Sequence, residues 1–252
     1  MADPYQPIRE RLIEAALPHV AFDGWTGGTF RAAMRDADIP EAEAREAAPR
    51  GALDLAAAYH RMGDARMRER LRGADLNAMR IRDKIAFALR ARIEAIGDRE
   101  AARRGAALYA LPHLAPEGAR LIWGTADAIW EGIGDKSRDS NWYTKRATLS
   151  AVYGSTVLFW LGDDSPGHAA TWDFVDRRIE DVMTFEKVKA RVRENPFART
   201  ILAGPLWALS HVRAPMRPPA AAEMPGYFAG PPPAPTIHED GVIPPEGGGP
   251  RP

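Results

Sequence analysis

The strongest pattern in the chain is a charge-free run near its middle, residues 147–162. These sixteen residues are too few to span a bilayer, which needs about 20, but they suit a helix surrounded by its own domain. Four residues of the run recur at i, i+4, i+7 and i+11: Leu149, Tyr153, Thr156 and Trp160. The polar residues at 139–141 can cap the start of this helix by accepting a hydrogen bond from an unpaired N–H. The pattern therefore predicts a central, buried helix.

The remaining pattern, as far as residue 213, is also helical. Apolar positions recur at helical spacing from Ile8 to His19, and Thr26 can cap a second helix. Pro40 suits the opening of a short third helix. Further helices are predicted at 52–71, 76–96, 99–110, 116–133, 140–162 and 167–193. Alternating strand patterns are missing, so the sequence predicts an all-α domain.

Composition separates the C-terminal segment from this helical part. Of the 39 residues from 214 to 252, 12 are proline and 6 are glycine. Such a segment buries too little apolar surface to offset the entropy of ordering it, so we predict a disordered tail at 214–252. The other predicted regions are a head at 1–63, a helical body at 64–195 in the same globular unit, and a terminal helix at 196–213.

The head has the helix layout of a helix-turn-helix module, and its charge tests whether it binds DNA. The third helix would have to lie in the major groove and tolerate phosphates. It reads Glu41-Ala-Glu43-Ala-Arg45-Glu46, with three carboxylates and one arginine, and residues 1–63 carry ten acidic and seven basic side chains. Neutralisation of phosphates supplies most non-specific DNA affinity. The sequence therefore predicts a degenerate helix-turn-helix head that does not bind nucleic acid.

Sequence motifs for catalysis and metal binding are missing. None of the six histidines follows a glutamate by three residues, which excludes the Glu-x-x-His signature of helical di-iron proteins. The chain has no cysteine, no H-E-x-x-H, no G-x-S-x-G and no glycine-rich phosphate loop. We therefore predict a non-enzymatic binding protein without metal or cofactor.

The last predicted helix is amphipathic. At 100° per residue one arc contains its large apolar side chains: Phe197, Ile201, Leu202, Leu209 and Val212. Basic residues precede it, and such residues near an anionic bilayer contribute about 1 kcal/mol each. This pattern predicts contact with a membrane surface, although a terminal amphipathic helix also often packs on its own domain or on a dimer mate.

The segment before the charge-free run carries the most specific motif, Asn141-Trp-Tyr-Thr-Lys-Arg146. It resembles the hallmark motif of the coenzyme Q biosynthesis accessory proteins, a lipid-binding family with a TetR-like all-helical fold. The likeness extends over roughly residues 6–195. The flanking segments that carry it are 123–130, 134–135, 164–165, 171–174 and 177–183.

The resemblance implies a fold and a function. The fold would be a TetR-like helical domain, and the protein would offer an isoprenoid quinone intermediate to the di-iron hydroxylase of ubiquinone synthesis. A quinone or phospholipid would bind in an apolar tunnel, for which we choose Trp123, Trp130 and Trp160. The matching positions for docking the hydroxylase are Asn141, Trp142, Tyr143, Lys145 and Arg146. The alternative for Trp142 and Tyr143 is a helix start whose aromatic side chains pack inward.

The resemblance also implies a homodimer through the late helices and a membrane-contacting helix at 196–213. No apolar signal core precedes the first helix, so we expect a cytoplasmic protein that is peripherally associated with the inner membrane. Two other functions stay open. One is a TetR-type ligand-responsive transcription regulator, and the other is an unrelated helical scaffold with a filled core.

Overall fold

The computed structural model describes residues 3–135 and 140–194, and all regular structure in these residues is helical. The α-helices are α1 (Gln6–Asp23), α2 (Gly27–Asp36), α3 (Glu41–Ala47), α4 (Ala52–Arg72), α5 (Ile81–Glu94), α6 (Arg99–Tyr109), α7 (Ala115–Gly132), α8 (Ser140–Leu161) and α9 (Ala169–Glu194). Short 3-10 helices lie at Leu76–Ala78 and Pro166–His168. The predicted all-α architecture is confirmed.

Capping residues explain where several helices begin. Thr26 accepts a hydrogen bond from the Thr29 N–H and caps α2, as predicted. Asp98 accepts from the Ala101 N–H in the same way and caps α6. Pro40 has extended backbone dihedrals directly before α3, which confirms its place at the opening of that helix. The predicted cap of α8 at 139–141 lies outside the residues whose side chains are described.

Two predicted helices begin too early in the sequence. The helix expected from 76 starts at Ile81, because Asp75 first caps a 3-10 turn by accepting from the Asn77 N–H. The helix expected from 167 starts at Ala169. Gly167 has a φ of 62°, a left-handed conformation that ends one turn before the next helix begins. A local turn, rather than the apolar period, decides both boundaries.

The core consists of two hydrophobic clusters that share α4. The first cluster joins α1, α2, α3 and the start of α4 around Leu12, Phe30 and Leu55. The second joins the end of α4 with α5, α7, α8 and α9 around Leu89 and Ile129. The predicted stripe of α8 is buried throughout, since Leu149, Tyr153, Thr156 and Trp160 are each at most 5% exposed. This confirms that α8 is a central helix.

The division proposed between head and body falls at residues 63 and 64, inside the continuous helix α4. Because α4 runs across this boundary without interruption, the head and the body belong to one packed unit. None of the helices in the described ranges is long and apolar enough to cross a bilayer. The terminal helix at 196–213 and the tail at 214–252, with all the residues assigned to membrane contact, lie outside the described residues.

Candidate functional site

A cavity of about 400 Å³ lies between the two hydrophobic clusters. Its wall includes Trp25 and Ala101 from the first cluster and Tyr153 from the second. Helices α4, α5, α6, α7 and α8 all contribute to this wall. The volume falls within the range typical of small-molecule sites. The cavity is therefore the candidate ligand site of the molecule.

Small residues create the space. Alanine and glycine account for much of the wall: Ala56, Gly63, Ala95, Ala101, Ala102, Gly105, Ala106, Ala110, Ala115, Gly118, Ala119 and Gly154. Larger apolar side chains complete it: Ile96, Leu121, Ile122, Val157 and Leu158. Helices whose facing positions lack bulky side chains leave a void that their neighbours do not fill. Such a wall suits an apolar ligand.

Two aromatic residues of the wall have their polar atoms bound to the backbone near α6. The Trp25 Nε1–H donates to the Ala101 carbonyl at 3.1 Å. The Tyr59 hydroxyl accepts from the Asp98 N–H at 2.9 Å. Both rings therefore present apolar faces to the cavity, and the polar character of the wall comes from His60 and Arg92.

Arg92 is the most unusual residue of the cavity, because its side chain is only 2% exposed. Its Nε donates to Asp64 at 2.7 Å, and its Nη2 donates to the His60 carbonyl at 2.9 Å. The guanidinium also lies 5.4 Å from the centre of the Tyr153 ring. Asp64 is itself buried, so the pair is a neutral ion pair held within the protein.

His60 belongs to the same polar cluster. Its Nε2 lies 2.9 Å from the Thr125 hydroxyl, which donates to Asp64 at 2.8 Å. His60, Thr125 and Asp64 therefore form one chain of hydrogen bonds. Burial and the neighbouring Arg92 charge lower the pKa of His60 to about 4. The imidazole is therefore neutral at physiological pH.

The cavity runs from this polar cluster to an apolar opening. Ala110, Ala115 and Ala119 line it and are exposed, and Leu158 on α8 is 67% exposed. Leu111, which directly follows Ala110, is 44% exposed. An opening of this kind allows an apolar molecule to enter without passing charged groups.

The three tryptophans chosen for lipid contact do not line this cavity. The Trp130 Nε1–H donates to the Lys145 carbonyl at 3.1 Å, and Trp160 packs edge-on against His168. The Trp123 ring lies 6.1 Å from that of Trp142. Large residues such as these fill space between helices, whereas small residues leave it. A contact between these tryptophans and lipid elsewhere stays a prediction.

The polar cluster could have been found from the sequence. Four residues share the buried face of α5 at i, i+3, i+4 and i+7: Ile85, Ala88, Leu89 and Arg92. On α4, Asp64 lies between the buried Ala57 and Met67 at helical spacing. A charged residue in the apolar stripe of a helix is rare unless it has a partner. Asp64 and Arg92, two opposite charges on the apolar faces of two helices, were therefore the sequence signal for a buried ion pair.

The start of α8 holds a second cluster of aromatic and charged residues. The Arg146 guanidinium stacks on the Trp142 ring at 3.9 Å from its centre. Arg146 also forms ion pairs with Asp127 and Asp135, and its side chain is only 3% exposed. The Arg146 side chain thus makes its contacts within the protein, and its part in docking stays a prediction. Its ion pairs connect α8 with α7 and with the residues that follow α7.

The other residues assigned to docking differ in exposure. The Tyr143 side chain lies perpendicular to the Trp142 ring, with centres 4.7 Å apart, and Tyr143 is 37% exposed. Trp142 is half-buried, so its exposure fits neither an exposed docking residue nor a fully inward-packed side chain. Lys145 pairs with Asp135 at 2.8 Å and lies over the Trp130 ring. The Asn141 side chain lies outside the described part.

The described residues contain no group of three or more His, Asp or Glu side chains that could hold a metal ion. Asp163 accepts hydrogen bonds from Ser165 and Thr171 and lies 4.0 Å from the His168 Nδ1. These bonds hold the pKa of Asp163 well below its usual range. They fix the turn between α8 and α9.

Comparison with solved structures identifies the fold. The chain is similar to a TetR transcriptional regulator from Nitrosomonas europaea, with a TM-score of 0.58. The match covers 69% of this chain and 97% of the regulator at 18% sequence identity. At this identity the likeness concerns the fold alone, and it confirms the TetR-like architecture.

Comparison with curated proteins finds relatives in ubiquinone biosynthesis. The chain is 29% identical over 184 residues to the mitochondrial ubiquinone biosynthesis protein COQ9 of Drosophila melanogaster, covering 71% of this chain and 56% of that protein. The rat protein is 29% identical over 199 residues, covering 75% of this chain and 62% of its own length. The human protein is 37% identical over 90 residues, covering 36% of this chain and 28% of its length. The chain thus spans less than two thirds of each of these relatives.

The COQ9 family model matches residues 115–186, which contain α7, α8 and most of α9. This range includes the Trp142–Arg146 cluster and one side of the cavity wall. The sequence comparisons confirm the chain's resemblance to the coenzyme Q accessory family, represented by COQ9.

Proposed function

We propose that the protein takes part in ubiquinone biosynthesis as a non-enzymatic accessory protein. Its cavity would bind an isoprenoid quinone intermediate at the membrane, and its surface would present that intermediate to the di-iron hydroxylase. The relatives named above are ubiquinone biosynthesis proteins, which supports the assignment to this pathway. The step within the pathway is our proposal.

The observation that carries the proposal is the apolar cavity with its apolar opening. A polyisoprenoid tail strongly resists transfer from lipid to water, by about 0.8 kcal/mol for each CH₂ group. A protein cavity walled by alanine, isoleucine and leucine offers this tail a second apolar environment. Transfer from the bilayer to an enzyme then avoids most of the exposure of the tail to water.

The start of α8 is our candidate for the docking surface. Tyr143 presents an exposed aromatic side chain, and tyrosine is enriched among residues that dominate interface energies. Arg146 holds Trp142 beneath it through the stacking contact. A rigid aromatic surface loses little conformational entropy when a partner binds. The proposed membrane contact through 196–213 and the homodimer remain separate proposals.

A transcription regulator is the second candidate, and the helix layout of α1–α4 favours it. The chemistry of α3 opposes it. Arg45, the basic residue of that helix, already lies 3.5 Å from Glu41 and stacks over the Phe30 ring. The exposed surface of α3 would therefore bring mainly carboxylates to a phosphate backbone. Binding of duplex DNA at physiological salt would decide for the regulator.

The quinone profile of cells that lack this chain tests the accessory function. Mass spectrometry of lipid extracts is expected to show less ubiquinone and an accumulation of its unhydroxylated late precursor. The matched variants are Ala106→Trp, which fills the cavity, and Ala107→Trp, its exposed neighbour on α6. Only the Ala107→Trp protein should restore the profile. An unchanged profile in the deletion strain would refute the proposal.

A further inference from the structure

The wall of the cavity is not uniformly apolar, and Arg92 is the reason. Its Nε and Nη2 have protein acceptors, whereas its Nη1 has no hydrogen-bond partner among the described residues. Arg92 lines the cavity, so this donor can bind water there, and a ligand that displaces the water without replacing its hydrogen bond would cost free energy. An apolar tail alone would leave this donor without an acceptor, so the cavity suits a ligand that brings one.

The charges around Arg92 decide which kind of acceptor fits. Asp64 already neutralises the guanidinium through the 2.7 Å hydrogen bond, and His60 is neutral. A ligand carboxylate or phosphate would add an uncompensated negative charge to this buried cluster, which is strongly unfavourable. A ligand ammonium would face Arg92 itself. A neutral oxygen, in a carbonyl, hydroxyl or ether group, carries neither penalty.

We propose that Arg92, together with Asp64 and His60, selects ligands whose apolar body ends in a neutral, oxygen-bearing head group. This inference rests on the proposed function, because it assumes that the cavity binds an apolar molecule. The oxygen accepts from the Arg92 Nη1–H, while the apolar part extends between α6, α7 and α8 toward Leu158. The Tyr153 ring, stacked near Arg92, gives a flat aromatic head a surface to pack against. Anionic phospholipids are excluded by the same arrangement.

Gly63 provides a way to disturb the head-group site without removing a charge. A Cβ at this position would lie 2.5 Å from Arg92 Nη1, so Gly63→Ala displaces the guanidinium. Gly132→Ala is the matched control, since its Cβ would lie 2.6 Å from the Leu71 side chain, at a position that does not line the cavity. Both substitutions place alanine in a helix and cause a similar steric conflict, but only one of them involves Arg92.

The experiment compares two probes that differ only in the head. The full-length protein is incubated with phosphatidylcholine vesicles doped with farnesyl-benzoquinone or with farnesylbenzene, then re-isolated, and the bound probe is quantified by mass spectrometry. We expect the wild type to prefer the quinone. Gly63→Ala should lower its affinity for the quinone roughly tenfold, which corresponds to the loss of one hydrogen bond from a charged donor. Its affinity for farnesylbenzene should be unchanged, and Gly132→Ala should behave as the wild type.

Equal binding of both probes by the wild type, or an equal loss of both in Gly63→Ala, would overturn the head-group inference. Failure of the wild type to take up either probe would instead refute the proposed lipid binding. Asp64→Asn gives an independent test if Gly63→Ala does not fold. This variant leaves the Arg92 charge without its partner, so it should gain affinity for a farnesylated benzoate that the wild type rejects. Uptake of that benzoate by the wild type contradicts the inference.

Discussion

Arg92 and Arg146 are both buried arginines that stack on an aromatic ring and pair with aspartate, yet their surroundings differ. Arg92 pairs with one aspartate and lines the cavity. Arg146 has two aspartates and also donates to the Trp142 carbonyl. The first arginine retains binding capacity toward a cavity. The second arginine lies outside the cavity wall and holds the Trp142 ring in place.

The largest effect should come from removing Arg92. Arg92→Met leaves the buried Asp64 without its ionic partner, and breaking a buried pair in this way costs about 3–5 kcal/mol. We expect the free energy of unfolding, measured by urea denaturation, to fall by this amount. Arg178→Met is the control, because Arg178 also has an aspartate at 2.8 Å and an aromatic ring at 5.3 Å, but is exposed.

The control should lose less than about 1 kcal/mol, since solvent screens an exposed pair. A loss of similar size in both variants would mean that the burial of Arg92 contributes little. In that case the difference between Arg92 and Arg146 would be one of contacts and not of stability.

Removing Arg146 should have a smaller effect. In Arg146→Met, Asp135 still has Lys145 at 2.8 Å, and Asp127 is 23% exposed and can be hydrated. We expect a loss of about 2 kcal/mol, which includes the stacking contact with Trp142. Urea denaturation of both variants shows which of them loses more free energy of unfolding. A larger loss than that of Arg92→Met would contradict the idea that the second cluster has redundant ion pairs.

The pH dependence of stability separates the clusters in a different way, because only the Arg92 cluster contains a histidine. In the unfolded chain His60 binds a proton near its ordinary pKa of 6.5, whereas in the folded protein it does so only near 4. Between these values the unfolded state binds more protons, so the free energy of unfolding falls as the pH is lowered from 6.5 toward 4. Above pH 6.5 His60 has no such effect.

Between the two pKa values of His60, the free energy of unfolding would change by at most about 1.4 kcal/mol per pH unit. Because His60 is only half-buried at the cavity wall, we expect a total change of about 1–2 kcal/mol. Urea denaturation at pH 7 and pH 5 measures it. His60→Asn should reduce the difference between the two pH values, and His113→Asn, at an exposed position, should leave it as in the wild type. The same pH difference in wild type and His60→Asn would exclude His60 as the cause.

The sequence predicted the helices well because their signals are local. The apolar stripe of α8 and the cap at Thr26 each depend on residues within a few turns of the same helix. The cavity depends on something else: which side chains are missing where five helices meet. A wall residue such as Ala106 resembles any other alanine in a helix, and its role appears only when α6 packs beside α7 and α8. For this reason the sequence pointed to large tryptophans and did not reveal the small residues that line this cavity.

The smallest effect on stability should come from the exposed part of the Trp142–Arg146 cluster at the start of α8. Tyr143→Ala removes a side chain that packs on Trp142 from outside, and the free energy of unfolding should change by less than about 0.5 kcal/mol. Binding to the hydroxylase, if this surface docks it, should weaken at least tenfold. Tyr143 is a sharper test than Trp142, because a lysine at 142 would also remove the ring on which Arg146 stacks.

Phe22→Ala is the control for this substitution, since Phe22 is 83% exposed on α1 and distant in sequence from the motif. Surface plasmon resonance with the immobilised hydroxylase should show unchanged binding for Phe22→Ala and weakened binding for Tyr143→Ala. If Arg146→Met also weakens binding while its fold persists, Arg146 acts through Trp142 and Tyr143 rather than by contact. Unchanged binding in Tyr143→Ala would remove the start of α8 from the interface, and its buried arginine would then serve the fold alone.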